Sequence, residues 1–307
     1  MSLIATLGAI EIGLVFALVA LGVYITFRVL DFPDLTVDGT LPLGAAVAAA
    51  MIAGGINPIF ATLAAIVAGF LAGTVTAWLN IRFAILHLLA GILTMTALFS
   101  INLRVMGVPN IPLMNRPTVI DFFAWLNPLI AATGLPGRPT LRVLALLIIV
   151  LVIGALLARF LKTEFGLAMR ATGANPRMAR AQGIRTDMHV YVGVALSNGL
   201  VALAGALFAQ TAGFADVSIG TGTIIAGLAA VILGETIFRT KSIVVAVFSC
   251  LIGAIAYRLA IALALNAGWL GLRASDLNLV TAVLVGIALM LPGFANPLRS
   301  LFKRSAP

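Results

Sequence analysis

Charge is scarce in this sequence: only 9% of its 307 residues are Asp, Glu, Lys or Arg, against about 25% in a typical soluble chain. With 62% hydrophobic residues and a mean hydropathy of +1.17, it has too little polar surface to cover a water-soluble globule. Cysteine is almost absent. The single Cys250 lies inside an apolar run, which excludes a disulfide framework and a cysteine-based metal or redox site. The two histidines, His87 and His189, stand far apart without a carboxylate at ligand spacing, so neither a zinc site nor a Cys/His nucleophile is expected. There is no Gly-x-x-x-x-Gly-Lys-Ser/Thr loop, the usual cradle for nucleotide phosphates. The first apolar stretch, residues 3–27, has no basic n-region and no small-residue cleavage pattern, so it does not read as a cleavable signal peptide.

What is present is a succession of apolar runs near 20 residues, each long enough to cross ~30 Å of hydrocarbon as a helix. They do not alternate at period two, as the strands of an outer-membrane barrel would. The expected fold is an all-α polytopic membrane protein, one transmembrane domain over residues 1–307, with about nine spans (eight to ten). These are placed at 7–28, 39–55, 57–79, 84–103, 141–161, 188–212, 220–238, 242–264 and 277–295. The net charge of +9 belongs to the loops and not to a nucleic-acid surface. The most basic loop, 162–187 with its flank, holds Arg159, Lys162, Arg170, Arg177, Arg180 and Arg185, and the positive-inside rule puts it in the cytoplasm. Alternation then collects Arg28, Arg82, Arg239, Lys241, Arg299, Lys303 and Arg304 on the same side. Arg104, Arg116, Arg138, Arg142 and Arg273 fall outside, giving an outer N-terminus and an inner C-terminus.

Residues 104–140 form the longest non-spanning stretch, rich in Pro and Asn, with a short apolar piece at 122–132. This reads as an outer-face or re-entrant segment, either docking an external partner or capping the bundle. An offset of 182 residues lays Leu18-Val-Ala-Leu21 over Leu200-Val-Ala-Leu203, and Phe32-Pro-Asp34-Leu-Thr36-Val over Phe214-Ala-Asp216-Val-Ser218-Ile. In this topology the copies enter from opposite sides, as inverted repeats at about 10–103 and 190–295 would. Pro33, Gly39, Gly220 and Gly222 interrupt helices here, and helix breaks at membrane depth normally line a cavity. Asp34, Thr36, Asp38, Asp216, Ser218 and Thr221 are therefore pathway candidates. The alternative is that Thr36, Asp38 and Ser218 cap the helices that follow them. Thr94, Thr96 and Asn102 in the fourth span and Asn198 in the sixth join the candidates, because polar groups in lipid need a reason. His87 reads as a packing group, and Gly69 and Gly73 as helix contacts. Arg258 reads as snorkelling outward or pairing with Asp216 or Asp276.

In the cytoplasmic loop, Asn175 is suited to cap a helix that Pro176 begins and Gly183 ends, predicting a two-turn helix outside the bilayer. An ordinary interfacial helix would also fit. The run Arg170-Ala-Thr-Gly-Ala-Asn175-Pro176-Arg177-Met178-Ala-Arg180-Ala-Gln-Gly183-Ile resembles the coupling loop of ATP-binding-cassette importer permeases of the branched-chain amino-acid and ribose type. The runs Phe16-Ala-Leu-Val-Ala-Leu-Gly-Val-Tyr24, 32–39 and 89–104 look like a subgroup labelled tryptophan/tyrosine transport permeases, and the similarity extends over about 10–295. The resemblance implies two cytoplasmic ATPase subunits, an extracytoplasmic substrate-binding protein and a second permease copy, in a bacterial cytoplasmic (inner) membrane. It implies no cofactor on this chain, with ATP hydrolysed by a partner, and assigns Arg170, Asn175, Pro176, Arg177, Met178, Arg180 and Gly183 to ATPase coupling. A mostly neutral lining suits an amino acid or similar small metabolite. An ion-coupled secondary transporter is the alternative, since it too uses inverted repeats; a membrane-embedded enzyme lacks its clustered catalytic groups.

Overall fold

The computed structural model describes residues 2–132, 136–238 and 242–266, with isolated positions at 279, 281–283 and 286. Apolar runs become helices because lipid leaves backbone N–H and C=O groups no partner except one another. The long helices are α1 (Leu3–Val23), α2 (Val37–Ala53), α3 (Pro58–Phe83) and α4 (His87–Met106). A short α5 (Asn127–Ala132), α6 (Gly137–Phe160), α7 (Glu164–Ala174), α8 (Pro176–Ala181), α9 (Thr186–Ala212), α10 (Thr223–Ile237) and α11 (Ile243–Asn266) complete the series. Seven of the described helical segments are long and apolar enough to cross a membrane, and α2, of 17 residues, is a shorter apolar helix. Eight expected spans thus coincide with helices to within several residues. The ninth, 277–295, lies outside the described stretches, as do the basic residues 239, 241, 273, 299, 303 and 304.

Each boundary has a local cause. α1 runs into a π-helical turn, Tyr24–Val29, and stops at Asp31, whose φ of 53° is left-handed. Pro33 then holds the chain extended. α3 begins at Pro58 behind Asn57, whose side chain accepts the Ile59 N–H. α9 ends at Gly213, which supplies the positive φ of a helix C-cap (79°).

α9 sits at the centre, buried along nearly its whole length. α3 and α2 pack on it, while α11 and α10 pack on α1, and α1 crosses α9. These crossings are close because small residues stand at them. A Cβ at Gly69 would fall 2.4 Å from the Asn198 carbonyl oxygen, and one at Gly44 2.0 Å from that of Ala202. The opposite faces of α3 and α4 leave Phe60, Leu63, Leu71 and Leu89 exposed, as a lipid-facing surface requires.

Two features depart from the expected purely helical chain. β1 (Asn110–Pro112) and β2 (Phe214–Asp216) form an antiparallel ribbon, pairing Asn110 with Asp216 and Pro112 with Phe214. The stretch expected to be only a helix break is therefore partly a strand. Within the 104–140 stretch a 3-10 turn, Val119–Leu126, is followed by α5. It is tied down by Gln210, whose Oε1 accepts the Val119 N–H at 2.8 Å while its Nε2 donates to Thr62 at 2.9 Å.

Candidate functional site

The two Phe-x-Asp motifs adopt the same local turn. Asp34 Oδ1 accepts the Thr36 N–H at 2.9 Å, and Asp216 Oδ1 accepts the Ser218 N–H at 2.7 Å. Their surroundings differ. Asp216 ends the β2 strand of the ribbon and is half-buried, with Asn110 Nδ2 donating to it at 3.3 Å. The Ser218 hydroxyl and N–H hold its carboxyl below the usual range.

Asp34 instead belongs to a fully buried network. Asn198 Nδ2 donates to Asp34 Oδ2 at 2.7 Å, and Asn198 Oδ1 accepts from the Thr40 hydroxyl at 2.7 Å. The Thr36 hydroxyl shares a bond of 2.7 Å with Thr76, which donates to Thr94 at 2.9 Å; Thr94 ends the chain on the Ala90 carbonyl. Asp34, Thr36, Thr40, Thr76 and Asn198 have no exposed surface. A satisfied polar network in a low-dielectric interior locks its helices in register, since breaking any one bond strands a buried group. Four of the expected pathway residues (Asp34, Thr36, Thr94, Asn198) thus come together, joining the start of α2 to α3, α4 and α9.

The capping expectation is corrected in its details. Thr36 makes no side-chain cap on α2. Asp38 does cap a helix, but a distant one: its carboxylate accepts the Gly222 N–H at 3.2 Å and the Ile224 N–H at 2.8 Å, at the start of α10. Gly220 is pressed against this junction, where a Cβ would meet the Asp38 carbonyl oxygen at 1.9 Å. Asp216, not Ser218, caps the 3-10 turn Val217–Gly220.

Beside this junction is a cleft of about 410 Å³. Asp38, Thr96, Asn102, Ser218 and Thr221 line it, together with Gly39, Pro42, Met95, Phe99, Ser100 and Val217. The remaining sequence candidates therefore converge here, except Asp216. The Thr96 hydroxyl is bonded to the Ile92 carbonyl of its own helix. Asn102 donates to the Gly39 carbonyl at 3.2 Å.

The loop candidates form a second constellation at the far end. Asn175 Oδ1 accepts the Met178 N–H at 3.0 Å at the start of α8. Gly183, with φ of 81°, ends it through bonds from Gly183 N–H to the Arg180 carbonyl and from Ile184 N–H to that of Ala179, a Schellman closure. Asn175, Pro176, Arg177, Arg180 and Gly183 are exposed, and so is Met178 at 62%. The preceding α7 lies against the π-helical turn of α1: a Cβ at Gly173 would fall 2.0 Å from the Val29 carbonyl oxygen. A cleft of about 500 Å³ opens at this contact, lined by Arg170, Arg28 and Glu235 among others. Arg28 Nε donates to both oxygens of Glu235, at 2.8 and 3.0 Å, joining the end of α1 to the end of α10.

Sequence reasoning missed Thr40, Thr76 and the Arg28–Glu235 pair. Thr76 had a signal, since it follows Gly69 and Gly73 on one helical face. His87 packs on Phe32, with ring centroids 4.3 Å apart, as expected. Arg258 does not snorkel outward: its guanidinium carbon lies 3.8 Å from the centroid of Phe16, midway along α1, a cation–π contact. Asp276 lies outside the described residues. Among the described residues no cluster of three His, Cys, Asp or Glu could hold a metal ion.

Comparison with known proteins gives a family and a fold. The family described as branched-chain amino acid transport system, permease component, matches residues 6–291. A tyrosine transport system permease protein of Clostridioides difficile (strain R20291) is 38% identical over 284 residues, covering 92% of this chain and 90% of the relative. The autoinducer 2 import system permease protein LsrC of Salmonella typhimurium is 30% identical over 213 residues, 66% of this chain and 54% of that one. In structure the chain is similar to PsaBC from Streptococcus pneumoniae, solved in complex with Fab, with a TM-score of 0.51, 16% identity, and coverage of 92% and 89%.

Proposed function

The chain belongs to the permease-component family of branched-chain amino acid transport systems, and on that premise we propose that it is the membrane subunit of an ATP-binding-cassette importer carrying an amino acid or similar small metabolite into a bacterial cytoplasm. It is a multi-pass helical membrane protein and a transport subunit. The proposal adds its partners: ATPase subunits under α7 and α8, an extracytoplasmic substrate-binding protein at the ribbon end, and a second copy of the chain. ATP would be held by the ATPase partners, with no cofactor on this chain, in the inner membrane.

The observation that carries the proposal is α8. A six-residue helix closed at both ends and projecting Arg177, Met178 and Arg180 is built to be gripped, because capping at each end removes the fraying expected of so short a helix. Movement of α8 passes through α7 to the Gly173–Val29 contact and so to α1. The π-helical turn there is the kind of irregularity that absorbs such displacement.

Inverted repeats are part of the same proposal. With the 182-residue offset, α1, α2 and α3 correspond to α9, α10 and α11. The packing follows suit: α3 on α9 answers α11 on α1, and α2 on α9 answers α10 on α1. Even single contacts correspond. A Cβ on Gly73 would lie 2.9 Å from the Ala195 Cα, and one on Gly13 3.0 Å from the Ile255 Cα, the same two positions with the glycine exchanged. Such symmetry supports alternating access around the junction of the two broken helices.

The test replaces Arg177 and Met178 together with Glu and measures ATP-driven uptake by the assembled transporter in proteoliposomes. Uptake should be lost while the chain still folds and inserts. Unchanged uptake overturns the proposed role of α8.

A further inference from the structure

The cleft between α2, α4 and the start of α10 has an unusual polar lining. Asn102 is fully buried, and its Nδ2 is committed to the Gly39 carbonyl. That bond fixes the orientation of the amide, because only the NH₂ side can face a carbonyl oxygen. Its Oδ1 is consequently the free end, and it has no hydrogen-bond partner. A buried acceptor without a donor is unfavourable, and because Asn102 lines the cleft, a ligand seated there can supply the donor.

Asp38, next in the chain to Gly39, supplies the second element. Each of its carboxylate oxygens accepts one backbone N–H, which leaves further lone pairs on both. Among the described residues it is the one charged residue lining the cleft, and no Lys, Arg or His lines it. Both free groups are acceptors, one of them anionic, so the complementary ligand is a cationic multiple donor. Pro42, Met95, Phe99 and Val217 give the wall an apolar portion, beside the hydroxyls of Thr96, Ser100, Ser218 and Thr221. A volume of about 410 Å³ is within the range of small-molecule sites, roughly 300–1,000 Å³.

We propose that this cleft binds the ammonium group of an amino acid, with Asn102 Oδ1 and the Asp38 carboxylate as acceptors and the apolar wall receiving the side chain. The inference rests on the permease reading and deepens it by naming where the cargo is recognised inside the membrane. Asp38 also holds the start of α10, so occupancy of the cleft bears directly on the junction of the two broken helices.

The test uses the full-length chain in lipid nanodiscs, titrated calorimetrically with three probes. L-tyrosine has both charged groups, its methyl ester keeps only the ammonium, and 3-(4-hydroxyphenyl)propionate keeps only the carboxylate. Tyrosine and the ester should bind saturably and the deaminated acid should not. Asn102→Leu should weaken binding of both ammonium probes about tenfold, the scale of one hydrogen bond to a charged group. Asn102→Asp retains an acceptor but loses the bond to Gly39, so it should bind at least as tightly as the parent chain. If Asn102→Leu does not fold, the probe series and Asn102→Asp decide the matter. Equal binding of the deaminated acid, no binding of any probe, an unchanged Asn102→Leu or a weakened Asn102→Asp each overturns the inference. ATP-driven uptake by the assembled transporter, measured alongside, tests the permease reading separately: uptake with no ammonium site removes this inference alone.

Discussion

Replacing Asn198 with Ala removes two hydrogen bonds of 2.7 Å from the centre of the bundle, one to Asp34 and one to Thr40. A bond to a carboxylate contributes roughly 1.5–3 kcal/mol, and interhelical side-chain bonds in bilayers average about 0.6 kcal/mol. The loss of stability should therefore be about 2–4 kcal/mol. The share due to Asp34 is isolated by a double-mutant cycle with Asp34→Ala. Once the carboxylate is gone, Asn198→Ala should lose only the Thr40 bond, leaving a coupling of about 1.5–3 kcal/mol. Equilibrium unfolding of the purified chain in mixed micelles by SDS, followed by tryptophan fluorescence, measures each corner of the cycle. Additivity within about 0.5 kcal/mol, the scatter of independent sites, would refute the network as a coupled unit. Because the network is closed to solvent, uptake by Asn198→Ala should fall only in proportion to the folded fraction.

Gly44→Ala should destabilise by about 1–3 kcal/mol through overpacking, since the new methyl meets the Ala202 carbonyl. Gly8→Ala, with nothing within 4 Å, should be neutral or stabilising by about 0.5–1 kcal/mol, and thermal unfolding compares the two. Arg28→Ala should change stability by less than about 1 kcal/mol, because the Arg28 and Glu235 side chains are 55% and 28% exposed. It should nonetheless lower ATP-driven uptake if this pair transmits movement between α1 and α10, and uptake equal to that of the parent chain would count against that role. Asp216→Ala removes the cap of the 3-10 turn and the bond from Asn110, a loss of about 1 kcal/mol. Limited proteolysis should then cut residues 107–118 faster.

Span positions were legible because lipid forces every long apolar run into a helix. The ends of α8 were legible because Asn, Pro and Gly act there through bonds within a few residues of themselves. What escaped the sequence reading acts over distance. The ribbon pairs Ile111 with Ala215, 104 positions away, in strands only three residues long, too short for any periodicity. Asp38 resembled an ordinary helix cap, yet its hydrogen-bond partners lie 184 and 186 residues away. Thr40 and Thr76 were inconspicuous because Thr in a membrane helix usually satisfies itself on its own backbone; a carbonyl of the same helix is within reach here, at 2.9 and 3.2 Å, but each hydroxyl has a single proton to divide between it and an acceptor on another helix. The candidate residues of the spans divide between a sealed network and an open cleft, and that division came from the tertiary arrangement alone.

The Asp38 cap limits how such a molecule can move. A carboxylate on α2 that closes the N-terminus of α10, with Gly220 pressed against its backbone, welds the two short helices end to end. Separating them would expose two backbone N–H groups and a carboxylate at once, so they travel as one strut. Under the proposed alternating access, displacement would be taken up at the strut's margins, where α4 borders the cleft and where Arg28 meets Glu235, and a conduit would open there first to one side of the membrane and then to the other.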